Sequence, residues 1–117
     1  MNGILIRENL LEQVIKGEKT TTCRLGRREY PLVKMIMRSN SSNNFCVIKV
    51  LKTEYVAFGN ITDEIAKKDG FETRGNFIDV MRDIYGDVKP DDVITIVFFE
   101  VVDELRKSGD ADEAARS

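Results

Sequence analysis

The sequence predicts an α+β domain, built as a small mixed β-barrel with helices covering one opening. Four or five segments have strand character, and helical segments interrupt them at two places. The chain has 117 residues, the length of about one domain. Its longest apolar run, residues 93–99, has the length of a strand and falls short of the roughly 20 residues of a membrane span.

The N-terminal part predicts a strand, a helix, a glycine turn and a second strand in direct succession. Residues 3–6 form a short apolar strand, and residues 7–16 carry apolar side chains at helical spacing. Gly17 follows a terminal lysine, which is typical of the residue that ends a helix. Residues 20–24 are rich in β-branched side chains and predict the next strand.

A hairpin is predicted in the middle of the chain. Residues 39–44 are all Ser or Asn, a composition that favours a turn. They separate a strand at residues 33–37 from a long strand at residues 45–58, in which we expect a bend or bulge near Lys52.

The C-terminal part predicts two helices and a closing strand. Residues 61–68 form a helix capped by Asn60 or Thr62, with acidic side chains in its first turn. Residues 74–85 place their apolar side chains on one helical face. Residues 93–102 are the most apolar strand, and we expect burial on both of its faces.

Composition limits the chemistry. The chain has no histidine, which excludes Ser-His-Asp and Cys-His catalysis and histidine metal sites. Its two cysteines, Cys23 and Cys46, are expected to be buried thiols, and two ligands are too few for a zinc site. We therefore expect no metal and no cofactor.

Two further expectations concern organisation and location. Residues 1–105 are predicted to form the folded domain, and residues 106–117, which lack apolar periodicity, a flexible tail. No signal-peptide pattern is visible in the sequence. We therefore expect a cytoplasmic protein that does not engage a membrane.

The formal net charge of −2 hides an asymmetry. Residues 1–55 carry five more basic than acidic side chains, whereas residues 56–117 carry seven more acidic than basic ones. Residues 16–38 alone hold seven basic and two acidic side chains. Such a cluster attracts phosphate if it stays together in space. The alternative is that the two halves interleave in the fold and cancel.

One polar segment suggests a binding site. On a strand, Thr20, Thr22 and Arg24 share a face, because side chains alternate with period 2. Lys19 stands at the entrance of that strand, where the Gly17 turn lets it fold toward the same side. An amine, a hydroxyl and a guanidinium together form a plausible anion or nucleotide site. The alternative is a half-exposed strand whose polar side chains face water.

These residues also resemble a known motif. Gly17-x-Lys19-x-x-Thr22-x-Arg24 resembles the GxKxxExR-type signature of the ASCH domain family, which belongs to the PUA-like superfamily of small RNA-associated β-barrels. Residues 61–71 are similar to the family's helix-then-Gly-Phe segment, residues 77–85 to its second helix and residues 93–100 to its closing strand. The resemblance covers about residues 3–104.

The resemblance implies RNA or nucleotide binding in a cleft between barrel and helices, with RNA or a nucleoside or nucleotide ligand as the partner. Its lining would include Lys19 and Arg24, with Thr22 between them. Neighbouring cations would contact phosphates, and two tyrosines would either stack on an unpaired base or serve as core or rim residues. The full predicted set is Lys16, Lys19, Thr22, Arg24, Arg27, Arg28, Tyr30 and Tyr85.

The resemblance also implies alternatives to simple binding. One branch of the family looks like an amidohydrolase that removes the acetyl group of N4-acetylcytidine with a Lys, a Thr and a Glu. The matching positions here are Lys19, Thr22 and Asp69. Threonine would attack the amide carbonyl, and a neutral Lys19 would serve as the base. Other members look like ribonucleases, and a non-catalytic protein-interaction domain is a further alternative.

Overall fold

A computed structural model describes residues 3–103, and the predicted tail at residues 106–117 lies outside the described residues. Five strands form one sheet in the order β1-β3-β4-β5-β2. The strands are β1 Gly3–Ile6, β2 Thr21–Leu25, β3 Lys34–Ser39, β4 Phe45–Ala57 and β5 Val93–Asp103. β1 pairs with β3 in parallel, and every other pairing is antiparallel. This matches the predicted α+β class and the predicted strands to within two residues at each end.

The barrel is not confirmed, because the sheet is not closed over residues 3–103. β1 and β2 are its two edges and form no ladder with each other. β5, from the acidic half of the chain, lies between β4 and β2, so the two halves interleave in the sheet. The candidate nucleotide site lies in the gap between these two edge strands.

Helices α1 Glu8–Lys16, α2 Asp63–Lys68 and α3 Arg74–Tyr85 pack on this sheet. α2 begins two residues later than predicted, because Thr62 is extended and its side chain accepts a hydrogen bond from the amide of Ile65. The predicted strand 45–58 ends at Ala57, because Phe58–Asn60 form a short 3-10 turn. The predicted irregularity of β4 is confirmed by a register shift between Val50 and Lys52.

The core consists of two clusters. The first lies under α1 and includes Leu11, Met37 and Ile48, all with no exposed surface. The second lies under α2 and α3 and includes Phe77 and Ile94, also fully buried. Phe71 packs against both clusters, so the loop after α2 joins the two halves of the core.

The structure also tests two predictions about burial. Cys23 and Cys46 are both buried and free of disulfides, as expected. Ile94 to Val97 of β5 are buried without interruption, which confirms that this strand is covered on both faces. Over the described part of the chain, no helix is long and apolar enough to cross a membrane.

Candidate nucleotide site

The turn after α1 places Lys19. Gly17 ends the helix at φ 83°, a left-handed conformation that glycine adopts without strain. The amides of Glu18 and Lys19 then both donate to the carbonyl of Gln13, at 2.9 and 3.2 Å. The sequence pattern of a helix followed by a C-terminal glycine therefore fixes the direction in which the chain enters β2.

The Lys19 side chain is buried, with only 2% of its surface exposed. Its amine donates to the backbone carbonyl of Asp69 at 2.6 Å and lies 3.3 Å from the carboxylate oxygen Oδ1 of the same residue. Asp69 ends α2 and is itself 4% exposed. A buried amine needs such partners, since an unpaired charge in the interior is costly.

The Asp69 carboxylate has further donors on β2. The hydroxyl of Thr21 donates to Oδ1 at 3.0 Å, and the thiol of Cys23 also hydrogen-bonds to this carboxylate. Thr21 and Cys23 alternate along the strand, so they lie on the same face of it. Asp69 thus joins the end of α2 to the start of β2.

Burial shifts the protonation of this cluster. Desolvation lowers the pKa of the Lys19 amine below its ordinary 10.5, and the nearby Asp69 carboxylate opposes part of that shift. Desolvation also raises the pKa of Asp69 above its ordinary 3.8, against the effects of Lys19 and of the Thr21 hydrogen bond. Burial raises the pKa of the Cys23 thiol well above 9.0. Both members of the Lys19–Asp69 pair are therefore biased toward their neutral forms.

Gly70 is required beside this pair. Its φ is 94°, and a Cβ placed there would stand 2.5 Å from the side-chain oxygen of Gln13 and 3.3 Å from Cδ of Lys19. The missing side chain lets the Lys19 stem reach the carbonyl of Asp69. The Asp69-Gly70 dipeptide is consequently both a helix ending and part of the site.

Arg24 bridges the gap in the sheet. Its Nη1 donates to the hydroxyl oxygen of Thr22 at 2.6 Å and to the carbonyl of Cys23 at 2.9 Å. Its Nη2 donates to the carbonyl of Leu5, on the opposite edge strand β1, at 2.9 Å. One guanidinium therefore links β2 to β1 where the two strands form no ladder, a geometry that the planar fork of arginine suits.

A pocket of about 360 Å³ opens in this gap, between the two edge strands and α3. We call it the Lys19 pocket. Its side toward α3 is apolar and includes Phe77, Met81 and Ile84, with Tyr85 at the helix end. Its polar lining consists of Arg7, Lys19, Thr22, Cys23, Arg24, Asn40 and Asp69. Side chains of residues 3–103 leave this pocket open, and Lys19, Thr22 and Asp69 all line it.

The detailed arrangement predicted for β2 is partly wrong. Thr20 precedes the strand and is exposed, so it does not share a site with Thr22 and Arg24. The amine of Lys19 contacts Asp69, while Arg24 contacts Thr22. The alternative of a half-exposed polar strand is also wrong, because Thr21 and Thr22 are each only 1% exposed.

Four of the predicted binding residues do not line the pocket. Lys16 is exposed at the end of α1. Arg27 and Arg28 are exposed beyond the other end of β2, a five-residue strand of about 16 Å. The Cζ atom of Arg27 lies 4.2 Å from the centre of the Tyr55 ring, and Nε of Arg28 donates to the carbonyl of Leu25 at 3.0 Å. Tyr30 packs half-buried against the first core cluster, as the core alternative expected.

Sequence reasoning missed four residues around the site: Arg7, Thr21, Asn40 and Phe71. Arg7 and Asn40 come from separate turns that meet only in the fold, where the amide of Asn40 donates to the carbonyl of Ile6 at 2.9 Å. No pattern in the sequence signals that meeting. Thr21 is adjacent to the motif positions, and its alternation with Cys23 was the available signal. Over residues 3–103, no group of three or more Cys, Asp or Glu side chains is placed to hold a metal ion.

The fold and this site together define a class: a small α+β domain with an open five-stranded sheet and a buried lysine–carboxylate pair in a pocket at its gap. A family model of the ASCH domain matches residues 4–103. The chain therefore belongs to the ASCH domain family, which is proposed to bind RNA.

Solved structures agree with this assignment. The ASCH domain of Lactobacillus crispatus JV V101 superposes with a TM-score of 0.73 at 12% identity, over 87% of this chain and 80% of that chain. A protein of Enterococcus faecalis V583 gives a TM-score of 0.70 at 17% identity, over 100% and 84% of the two chains. A point mutant of the Zymomonas mobilis ASCH protein gives 0.63 at 11% identity, over 89% and 68%. No functionally curated protein matches the sequence.

Proposed function

We propose that this ASCH domain binds RNA or a nucleotide, with one unpaired nucleobase held in the Lys19 pocket. The observation that carries the proposal is that one pocket collects Lys19, Thr22, Arg24 and Tyr85, four of the eight residues predicted for binding. Its volume of about 360 Å³ falls in the range of small-ligand sites, which begins at roughly 300 Å³.

The lining suits the two chemical faces of a nucleobase. Phe71, Ile84 and Tyr85 offer apolar and aromatic surface for the ring. Thr22, Asn40 and the Lys19–Asp69 pair offer hydrogen-bonding groups for its polar edge. Specific RNA recognition usually takes an unpaired base in this way, with stacking on the face and hydrogen bonds at the edge.

Charge supports the same ligand. Arg7, Lys19 and Arg24 line the pocket against one carboxylate, Asp69. The chain as a whole is slightly acidic, whereas this pocket carries a local excess of basic side chains. A locally positive cleft concentrates anionic ligands even when the net charge is negative.

The test is binding of a short labelled single-stranded RNA, followed by fluorescence anisotropy. Arg24→Met removes the guanidinium at the pocket and should weaken binding roughly tenfold, the expected loss of charge-assisted hydrogen bonds. Arg38→Met is the matched control, because Arg38 is exposed on β3 and does not line the pocket. Equal affinities of the two variants, or no binding by wild type, would contradict the proposal.

A second candidate function is hydrolysis of an acylated nucleoside such as N4-acetylcytidine. The observation that favours it is a buried lysine with a lowered pKa in the same pocket as Thr22 and Asp69. A neutral amine is able to take a proton, which a general base requires. Although Asp has one methylene fewer than Glu, the Asp69 carboxylate reaches within 3.3 Å of the Lys19 amine.

The proposed reaction has two steps. In the first, the Thr22 hydroxyl gives its proton to neutral Lys19, and its oxygen attacks the acetyl carbonyl. The C–N bond breaks, and the leaving amine takes the proton that Lys19 received, so that Lys19 is neutral again, cytidine departs and an acetyl ester forms on Thr22. In the second, water hydrolyses that ester to acetate and restores the hydroxyl. Arg24, which donates to the Thr22 oxygen at 2.6 Å, favours the anionic form of that oxygen.

This candidate is tested by incubating the protein with N4-acetylcytidine and measuring cytidine release. Thr22→Val should abolish turnover, whereas Thr20→Val should retain it, because the Thr20 side chain is exposed outside the strand. Turnover that is equal in the two variants, or absent from wild type, would exclude the hydrolase and leave the binding proposal intact.

A further inference from the structure

The Lys19 pocket has two ends of different electrostatic character. At the inner end, the Lys19 amine is paired with the Asp69 carboxylate, so the two charges offset each other. Toward β1 and the start of α1, the pocket is lined by Arg7 and Arg24, and no carboxylate lines it there. Its positive charge is therefore concentrated at one end, which we call the mouth.

The positive charge at the mouth is not neutralised within the described residues. Arg24 donates to three neutral oxygens, those of Thr22, Cys23 and Leu5. The Arg7 side chain makes no capping hydrogen bond to α1, and residues 3–103 supply it with no other hydrogen bond or ion pair. Glu8, the nearest carboxylate in sequence, instead accepts hydrogen bonds from Ser42 and Asn44.

Apolar surface is also left open beside the two arginines. Leu5 is 62% exposed and Ile84 is 52% exposed, and both line the pocket. Large apolar side chains that are exposed in a concave, charged site favour a ligand with an apolar body and an anionic group. A phosphorylated nucleoside has both.

We infer that the mouth is a phosphate subsite, in which Arg7 and Arg24 bind the phosphate of a nucleotide whose base enters the pocket. This inference rests on the proposed nucleotide binding and narrows it: the preferred ligand is a nucleotide unit with its phosphate, not the free nucleoside. It also assigns a binding role to Arg7, which lies outside the motif. The phosphate group comes either from a free nucleotide or from an RNA backbone.

The experiment compares each of the common ribonucleosides with its 5′-monophosphate by isothermal titration calorimetry. Wild type should bind the monophosphate of the preferred base roughly tenfold more tightly than the nucleoside, because charge-assisted hydrogen bonds form to the phosphate. Arg7→Met should remove most of this difference, and the readout is the ratio of the monophosphate affinity to the nucleoside affinity within each variant. Arg38→Met, outside the pocket, should behave like wild type.

Each outcome has a separate meaning. Equal affinities for nucleoside and monophosphate in wild type would overturn the phosphate subsite while leaving the proposed function standing. An advantage for the monophosphate that persists in Arg7→Met would overturn the role of Arg7. Binding of neither ligand would overturn both proposals. If a dinucleoside monophosphate binds as tightly as the monophosphate, the phosphate that occupies the subsite comes from an RNA backbone. If it binds only as well as the nucleoside, that phosphate comes from a free nucleotide.

Arg7→Met should fold, because Arg7 is half-buried and its side chain makes no bond that caps the helix. Thermal unfolding of each variant checks this point. Arg7→Lys provides a second measurement, since it keeps the charge and loses the planar fork. It should retain part of the preference for the monophosphate, and an Arg7→Lys variant as impaired as Arg7→Met would contradict a mainly electrostatic role.

Discussion

Two neighbouring regions of this molecule carry the same number of basic side chains in different structural surroundings. The β2 segment from Lys19 to Arg24 and the basic loop from Gly26 to Pro31 both carry two basic residues and lie within a dozen residues of each other. In the first, Lys19 is buried and Arg24 is half-buried. The Lys19 amine donates to the carbonyl of Asp69, and Arg24 donates to the hydroxyl oxygen of Thr22. In the second, both arginines are exposed. The comparison teaches that charge density along a sequence does not determine how a basic side chain is held, because only the first pair is removed from water and given specific oxygen partners.

The largest effect expected from this comparison is the loss of the Lys19 amine. Lys19→Met keeps the volume of the side chain but leaves the Asp69 carboxylate buried without its cation. We expect a loss of about 3–5 kcal/mol in the free energy of unfolding, as for other broken buried pairs. Lys16→Met, at an exposed site in the same segment, should change it by less than about 0.5 kcal/mol. Urea denaturation of the two variants measures the difference.

The buried Lys19 and the exposed Lys16 should also differ in how they affect the pH dependence of the free energy of unfolding. Because the folded pKa of Lys19 lies below the 10.5 of the unfolded chain, the unfolded state binds more protons between these two values. The Lys19 contribution to stability therefore rises as the pH increases toward 10.5. Lys16→Met should retain this rise, and Lys19→Met should lose it. Parallel profiles for wild type and Lys19→Met over that interval would contradict the assigned direction.

A smaller effect is expected at Thr21, the residue that orients Asp69 from β2. Thr21→Val removes a buried hydroxyl and leaves Oδ1 with one donor fewer, which should cost about 1–3 kcal/mol in the free energy of unfolding. Thr20→Val, one residue earlier and exposed, is the matched control and should be nearly neutral. The Thr21 hydrogen bond lowers the pKa of Asp69, so that pKa should rise further in Thr21→Val. Thermal unfolding and a carboxyl titration by NMR measure the two effects.

Much of this fold was predictable because local sequence signals agree with it. Gly17 ends α1, Thr62 caps α2 and the Ser/Asn turn joins β3 to β4, each through an interaction within a few residues. The order of the strands was not predictable. The placement of β5 between β4 and β2 depends on pairings across the whole chain, and the open gap between β1 and β2 follows from it.

The site was predictable to the extent that it follows a motif. Lys19, Thr22 and Arg24 were predicted from their match to the family signature, and Asp69 from its alignment with the family's helix-then-Gly-Phe segment. Their contacts were not, because Lys19 turns toward Asp69 while Arg24 reaches across to Leu5. Arg7 reaches the pocket only because α1 starts beside the gap. Side-chain partners that are distant in sequence are set by the tertiary fold.

A further prediction compares Arg24, in the pocket, with Arg28, in the basic loop, by the hydrogen bonds that each side chain makes. Arg24→Lys loses the fork that binds three oxygens on two strands, and an ammonium group cannot reproduce it. We expect a loss of about 1–2 kcal/mol in the free energy of unfolding, together with weaker ligand binding. Arg28→Lys should be nearly neutral, because the exposed Arg28 side chain makes one hydrogen bond within residues 3–103, to the carbonyl of Leu25. Similar losses in both variants would remove the distinction between the pocket and the loop.

Among the substitutions that are not controls, the smallest effect on stability is expected at Arg27. Its guanidinium lies over the Tyr55 ring with Cζ 4.2 Å from the ring centre, and an exposed contact of this kind contributes about 0.5–1 kcal/mol. If the basic loop contacts only RNA phosphates, Arg27→Met should weaken RNA binding similarly for all sequences and reduce the salt dependence of log K by about one unit. Mononucleotide affinity should not change, because Arg27 does not line the Lys19 pocket. A loss of mononucleotide affinity in Arg27→Met would mean that the loop and the pocket form one binding surface, and the division between the two regions would have to be abandoned.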